Sequence, residues 1–102
     1  MPEAMTHDFL LGSIKILILH YADKEPIFGK EFHEKLQKHG YEVSYGIIYP
    51  FFHKFEQKGY LSCEDACVKG KIRKYYRITE AGKGALEKTK VKAKELVEIL
   101  YE

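Results

Sequence analysis

Tryptophan is absent from this 102-residue sequence, cysteine and methionine occur twice each, and proline three times. Two cysteines are too few for the disulfide framework that staples small secreted domains. The five histidines are scattered, with no H-x-x-x-H pair and none in the stretch that holds Cys63 and Cys67. The three or four ligands of a metal site are therefore not supplied. No apolar run approaches the ~20 residues needed to span a bilayer, so no membrane partner is expected. The opening stretch MPEAMTHDFLLG has neither the basic region nor the small-residue cleavage site of an export signal. The expected setting is the cytoplasm, with reduced thiols. Nucleophile motifs, a G-x-x-x-x-G-K-(S/T) phosphate loop and paired acids are also missing. The glycines of GKGAL fall inside a helical stretch and make no dinucleotide fingerprint. No enzymatic activity and no cofactor are expected.

What is present is the balance of a globular domain, with 45% apolar and 31% charged residues. A chain of this length makes one domain and buries roughly two-thirds of its unfolded surface, a thin core unless a second subunit adds to it. The net charge of +2 says little, but its distribution says more. Residues 1–29 hold two Lys against four acids, residues 69–77 (KGKIRKYYR) hold five basic residues and no acid, and residues 79–102 balance five Lys against five Glu. The positive charge is local, as phosphate binding requires.

Punctuation along the chain is regular. Asp8 to Ala22 reads as a helix that Thr6 or Asp8 can cap, apolar over most of its circumference and so buried on more than one side. Pro26 suits the first turn of a second helix, Ile27 to His39, with Phe28, Phe32 and Leu36 on one face and Gly40 as its C-terminal cap. Ser44 caps a third helix, in which Ile48, Phe52 and Phe55 form the inward stripe. Tyr45, Tyr49 and His53 form a second stripe, Pro50 should kink or loosen the early turns, and Gly59 ends the element. YLSCED and RKYYRI read as two strands joined by a turn around ACVKGKI. Thr79 caps a last helix to residue 102, in which Leu86, Thr89, Ala93, Leu96 and Leu100 make a coiled-coil-like seam suited to a second copy of the chain. The fold class is mostly α with a small β wing: a winged helix-turn-helix over residues 1–78 and a long C-terminal dimerisation helix over 79–102, as one unit.

Three ordered blocks resemble the PadR-like family of transcriptional regulators. The first is EPIFGKEF, with Pro26, Gly29 and Glu31 in place. The second is GYEVSYGIIYPFFHKFEQKGYL, matched at Ser44, Gly46, Ile48, Tyr49, Pro50, Lys54, Glu56, Gly59, Tyr60 and Leu61. The third is RKYYRITEAGKGAL, matched at Lys74, Tyr75, Tyr76, Ile78, Thr79 and Gly82. Tyr45 stands where the family commonly has Pro, Ile47 where it often has Thr, Phe52 and Phe55 where it has Leu, and Lys30 where an aromatic is usual. The resemblance implies a winged helix on double-stranded DNA, a homodimer of the short form with one C-terminal helix, and repression relieved by a small hydrophobic or phenolic effector. Tyr21, Tyr101 and the last helix are candidates to line an effector pocket; the tryptophan used by the family's multidrug-binding members is absent.

The candidate DNA contacts are Ser44, Tyr45, Gly46, Tyr49, His53 and Lys54 on the recognition helix, Lys30 on the preceding helix, and Lys69, Lys71, Arg73 and Lys74 on the wing. Gly46 permits close backbone approach, tyrosine hydroxyls can donate to phosphate oxygens, and Gly70 supplies flexibility at the wing tip. No pairing of Arg and Asn on one face spells a base-reading code, so the operator is not legible. Two other classes compete: a winged-helix protein-interaction module without DNA binding, and a thiol- or metal-responsive regulator using Cys63 and Cys67. The structural reading of those thiols is one buried in a strand and one in the turn.

Overall fold

The computed structural model describes residues 4–102. Helices α1 (Ala4–Lys24), α2 (Gly29–Lys38) and α3 (Tyr45–Gln57) precede strands β1 (Leu61–Val68) and β2 (Lys71–Ile78), and α4 (Glu80–Leu100) closes the chain. This is the winged helix-turn-helix order with one antiparallel hairpin as the wing. The core takes Ile14, Ile18, Leu19 and Ala22 from α1, Phe32 and Leu36 from α2, and Ile48, Phe52 and Phe55 from α3. Ile27, Val43, Leu61, Tyr76 and Leu86 complete it. A file of rings crosses this core: Tyr21 edges onto Phe32, Phe32 onto Phe52, and Phe52 lies flat on Tyr76 at 4.6 Å and 10°. Replacing leucines by Phe52 and Phe55 thus fills the centre without changing the architecture.

Several boundaries differ from those expected. Helix α1 already runs at Ala4, so Thr6 and Asp8 lie inside it rather than capping it; no breaker stands between Ala4 and Asp8 to stop the helix earlier. The second helix begins at Gly29, not at Ile27, and Pro26 lies outside it. Ile27 is instead extended and bridges the wing, its N–H donating to the Tyr76 carbonyl (3.0 Å) and its carbonyl accepting from the Tyr76 N–H (2.7 Å). Both strands run longer than the alternation suggests, because the turn is only Lys69–Gly70. Both turn residues have positive φ (52° and 78°), the geometry of the tight hairpin turn whose twist matches the strands. Gly70 therefore fixes the tip rather than loosening it. Gly40 and Gly59 take φ of +84° and +80° at the ends of α2 and α3, the left-handed conformation that stops a helix. Pro50 sits inside α3 without ending it.

Thr79 knits α4 to the end of α3. Its hydroxyl accepts from the Gly82 N–H (3.0 Å) and donates to the Gly59 carbonyl (2.5 Å), while its own N–H donates to the Tyr60 carbonyl (3.0 Å). Gly82 is packed so closely on the Tyr60 carbonyl and Ile78 that a Cβ has no room. Beyond Thr89, every residue of α4 is exposed. The helix carries its own spaced ion pairs from here on, Lys90 reaching back to Glu87, then Lys92–Glu95 and Lys94–Glu98, each worth about 0.2–0.5 kcal/mol.

Candidate nucleic-acid interface

Helix α3 presents its N-terminus and one flank to solvent. Ser44 occupies the N-cap position with extended backbone, and its carbonyl accepts from Ile47 and Ile48, but its hydroxyl bonds no helix amide. Gly46 is exposed, and a Cβ there would meet only the Ser44 Oγ, at 3.6 Å. Packing therefore does not demand glycine at this position. Tyr45 and Tyr49 are stacked on each other, 5.6 Å apart, and Tyr45 stacks in turn on His33 of α2 at 4.5 Å. Where proline is usual, Tyr45 thus extends a three-ring ladder that joins the two helices. The Tyr49 ring reaches across to α2, where a Cβ on Gly29 would fall 2.7 Å from its hydroxyl. Both tyrosines remain part-exposed, at 38% and 43%. They are therefore neither core residues nor free surface groups.

The wing stands beside this flank. Phe28, Gly29, Lys30, Tyr49, His53, Ile72, Arg73, Lys74 and Tyr76 line one cleft of about 390 Å³. Five of the sequence candidates (Lys30, Tyr49, His53, Arg73 and Lys74) are thereby brought together from three separate elements. Lys69 and Lys71 sit exposed at the tip of the hairpin. Ser44, Tyr45 and Gly46 lie at the start of α3, and Lys54 a turn beyond Pro50 on a shallower patch with His53 and Gln57. Among the described residues, none of Lys30, Lys54, Lys69, Lys71, Arg73 or Lys74 is in an ion pair, whereas four lysines of α4 and Arg77 each hold a carboxylate. Arg73 is held differently, with its guanidinium 4.6 Å from the Phe28 ring centroid. Phe28 and His33 were not legible as site residues, because their partners are far away in sequence. The aromatic at 28, immediately before Gly29 in the EPIFGKEF block, is the nearest thing to a signal.

Cys63 and Cys67 both lie on β1, not on a strand and a turn. Four residues of extended chain separate their Cα atoms by about 13 Å, beyond the ~7 Å limit for a disulfide. Cys63 pairs in register with Tyr76 on the neighbouring strand. Burial pushes the Cys63 thiol up, with Glu56 adding to the effect, and burial also raises the Tyr76 hydroxyl to about 12. Among the described residues no group of three or more His, Cys, Asp or Glu could hold a metal ion.

A groove of about 710 Å³ runs between α1 and α4. Phe9, Ile16, Leu17, Thr89, Ala93, Leu96 and Val97 are among the residues that line it. Of the proposed seam, Leu86 is consumed by the chain's own core at 3% exposure, so the unpartnered stripe begins at Thr89. Tyr21 is absent from the groove and packs on Phe32, while Tyr101 is almost fully exposed. The aromatics that do line it are Phe9, Tyr41, Phe55 and Tyr60. His20, on α1, has its imidazole pushed down by burial and by Lys24 and Lys90, with Asp23 opposing.

A helix-turn-helix with a basic hairpin beside its second helix defines the winged-helix class of fold. The chain belongs to the PadR-like family of transcriptional regulators, whose family model matches residues 18–88. It is 36% identical over 89 residues to Transcriptional regulator Rv3488 of Mycobacterium tuberculosis, covering 87% of this chain and 83% of that one. The structure is similar to a PadR family transcriptional regulator from Eggerthella lenta, with a TM-score of 0.87, 27% identity, and 95% and 86% of the two chains covered. It is also similar to a PadR-like transcriptional regulator from Bacillus cereus, with a TM-score of 0.82, 30% identity, and 91% and 92% covered. Membership makes the protein a transcriptional regulator rather than an enzyme, and DNA is the partner that such regulation implies. No helix of the described residues is long and apolar enough to cross a membrane.

Proposed function

We propose that the protein is a cytoplasmic homodimeric repressor that binds a specific duplex operator and releases it in response to a small apolar or phenolic effector. The observation that carries the DNA reading is the set of unpaired cations from α2, α3 and the wing arranged around one exposed aromatic flank. Cations without carboxylate partners release counterions when they meet phosphate, and this supplies affinity. In the proposed complex α3 enters the major groove, with Ser44, Tyr45, Gly46, Tyr49 and His53 nearest the bases and their phosphates and Lys54 further along. Lys30 grips the flanking backbone. Lys69, Lys71, Arg73 and Lys74 clamp phosphates beside the adjacent minor groove. The open space at Gly46 supports this docking: glycine inside a helix costs about 1 kcal/mol relative to alanine, and close approach of another backbone gives it a use.

Dimerisation is proposed through Thr89, Ala93, Leu96 and Leu100 of α4 against α1, with Leu86 supporting the helix from beneath. The same face supplies the proposed effector site, since its groove is apolar and lined by four rings. Binding there changes the angle between the two copies and hence the separation of their α3 helices, which must match one turn of DNA. The test is a reporter gene driven by the promoter of the protein's own gene, with a footprint on that promoter. The expected result is lower reporter output when the protein is supplied and two protected half-sites related by a dyad. Unchanged output with no protected region would instead favour the interaction-module reading.

A further inference from the structure

We propose that Phe28 is a positioning residue for DNA contact, a ring that holds Arg73 of the wing at a fixed place relative to the recognition helix. The inference deepens the DNA-binding reading and rests on it. Phe28 is the N-cap residue of α2, with extended backbone (φ −124°, ψ 161°), and its side chain is half-buried. It can neither donate to a phosphate nor neutralise one. Its ring meets two residues of β2 that alternation places on the same face: the Arg73 guanidinium, 4.6 Å from the centroid, and Tyr75, edge-on at 5.2 Å and 62°. Among the described residues no carboxylate pairs with Arg73, and the ring is the contact that orients this side chain. A guanidinium stacked by its face keeps its N–H edges free to donate in plane, the arrangement that suits a phosphate.

The neighbours of Phe28 make the ring a fixed point. Ile27 is tied to the Tyr76 backbone of the wing by two hydrogen bonds, and Gly29 receives the Tyr49 ring of α3. Three consecutive residues thus touch β2 backbone, a wing cation and the recognition helix in turn. The wing tip reaches outward with Lys69 and Lys71, but Arg73 sits further along the same basic run, in the cleft shared with Tyr49, His53 and Lys30. Holding it there joins the phosphate contacts of the wing to those of α3 in a single rigid surface. The price of ordering a long cation is met before DNA arrives.

The experiment measures duplex affinity by fluorescence anisotropy across a salt series for the wild type, Phe28→Leu, Phe28→Tyr, Arg73→Gln and the Phe28→Leu/Arg73→Gln double variant. Thermal melts accompany each, and Phe28→Met replaces Phe28→Leu if that variant loses its fold. Phe28→Leu should weaken binding between about three- and thirtyfold, the range of a part-desolvated cation–π contact, with an unchanged salt slope because no charge is lost. Phe28→Tyr should stay near wild type. Arg73→Gln should weaken binding and flatten the slope by about one unit per protomer. The double variant should bind no more weakly than Arg73→Gln alone, because the ring acts through the cation. Phe28→Leu binding like wild type, or a double variant whose loss is the product of the two single losses, would overturn the proposal while leaving the DNA reading intact. A wild-type protein without duplex affinity would overturn both.

Discussion

Leu96 and Leu100 of α4 give the sharpest stability forecast. They keep 46% and 68% of their surfaces exposed, together about one whole leucine side chain. Covering that area stabilises by roughly 2 kcal/mol per protomer, and a two-fold interface counts it twice, for roughly 4 kcal/mol. Changing both residues to Ala keeps helix propensity and all the ion pairs of α4 while removing most of the apolar area. The proposed dimer should therefore dissociate between about a hundred- and a thousandfold more readily. Because neither leucine belongs to the protomer core, the circular-dichroism spectrum at high protein concentration should be unchanged. Sedimentation equilibrium over a range of concentrations reads the constant directly. A double variant with the wild-type dissociation constant would refute the reasoning, and so would a wild-type protein that stays monomeric at every concentration.

Other consequences concern the body and the cleft. Gly82→Ala drives a Cβ into the Tyr60 carbonyl and Ile78 and should lower stability by about 1–3 kcal/mol, as overpacking does; a denaturant melt checks this. Gly29→Ala first meets the far end of the part-exposed Tyr49 side chain, so it should leave the melt within about 1 kcal/mol of wild type but weaken duplex binding by displacing that ring. Tyr76, raised to about 12 by burial and its Cys63 contact, favours the protonated hydroxyl in the fold. Its contribution is complete below the unfolded value near 10 and is lost as pH climbs through about 12. Ultraviolet titration should accordingly show a tyrosine that ionises only in this window, as the protein unfolds, and Tyr76→Phe should remove that late step.

The helix order and the wing are legible in the sequence because they depend on local signals: Gly40 and Gly59 at positive φ, Thr79 before an acidic turn, and period-two alternation in RKYYRI. Contacts between distant segments are not legible in the same way. Ile27 reads as the start of a helix until Tyr76 offers it two backbone hydrogen bonds, and a bridge of one residue leaves no periodicity. Lys69–Gly70 lacks the Asn-Gly signature of its turn, so the strands appear shorter than they are. Leu86 fits the heptad spacing of the seam and the core equally well; only packing assigns it to the core. At the interface, the basic residues are visible as a run, whereas Phe28 and His33 acquire meaning only when β2 and α3 fold against them.

Binding of duplex phosphates by the unpaired wing cations is the proposal on which the DNA reading depends. Its most direct test is the salt dependence of binding to the DNA upstream of the protein's own gene, with wild type beside a variant in which Lys69, Lys71, Arg73 and Lys74 are all changed to Glu. Four unpaired cations per wing and two wings per proposed dimer contribute about −7 to the wild-type log–log slope, with Lys30 and Lys54 steepening it further, and the variant should show no measurable affinity at moderate salt. Weak binding with a shallow slope, shared by both proteins, would contradict the account.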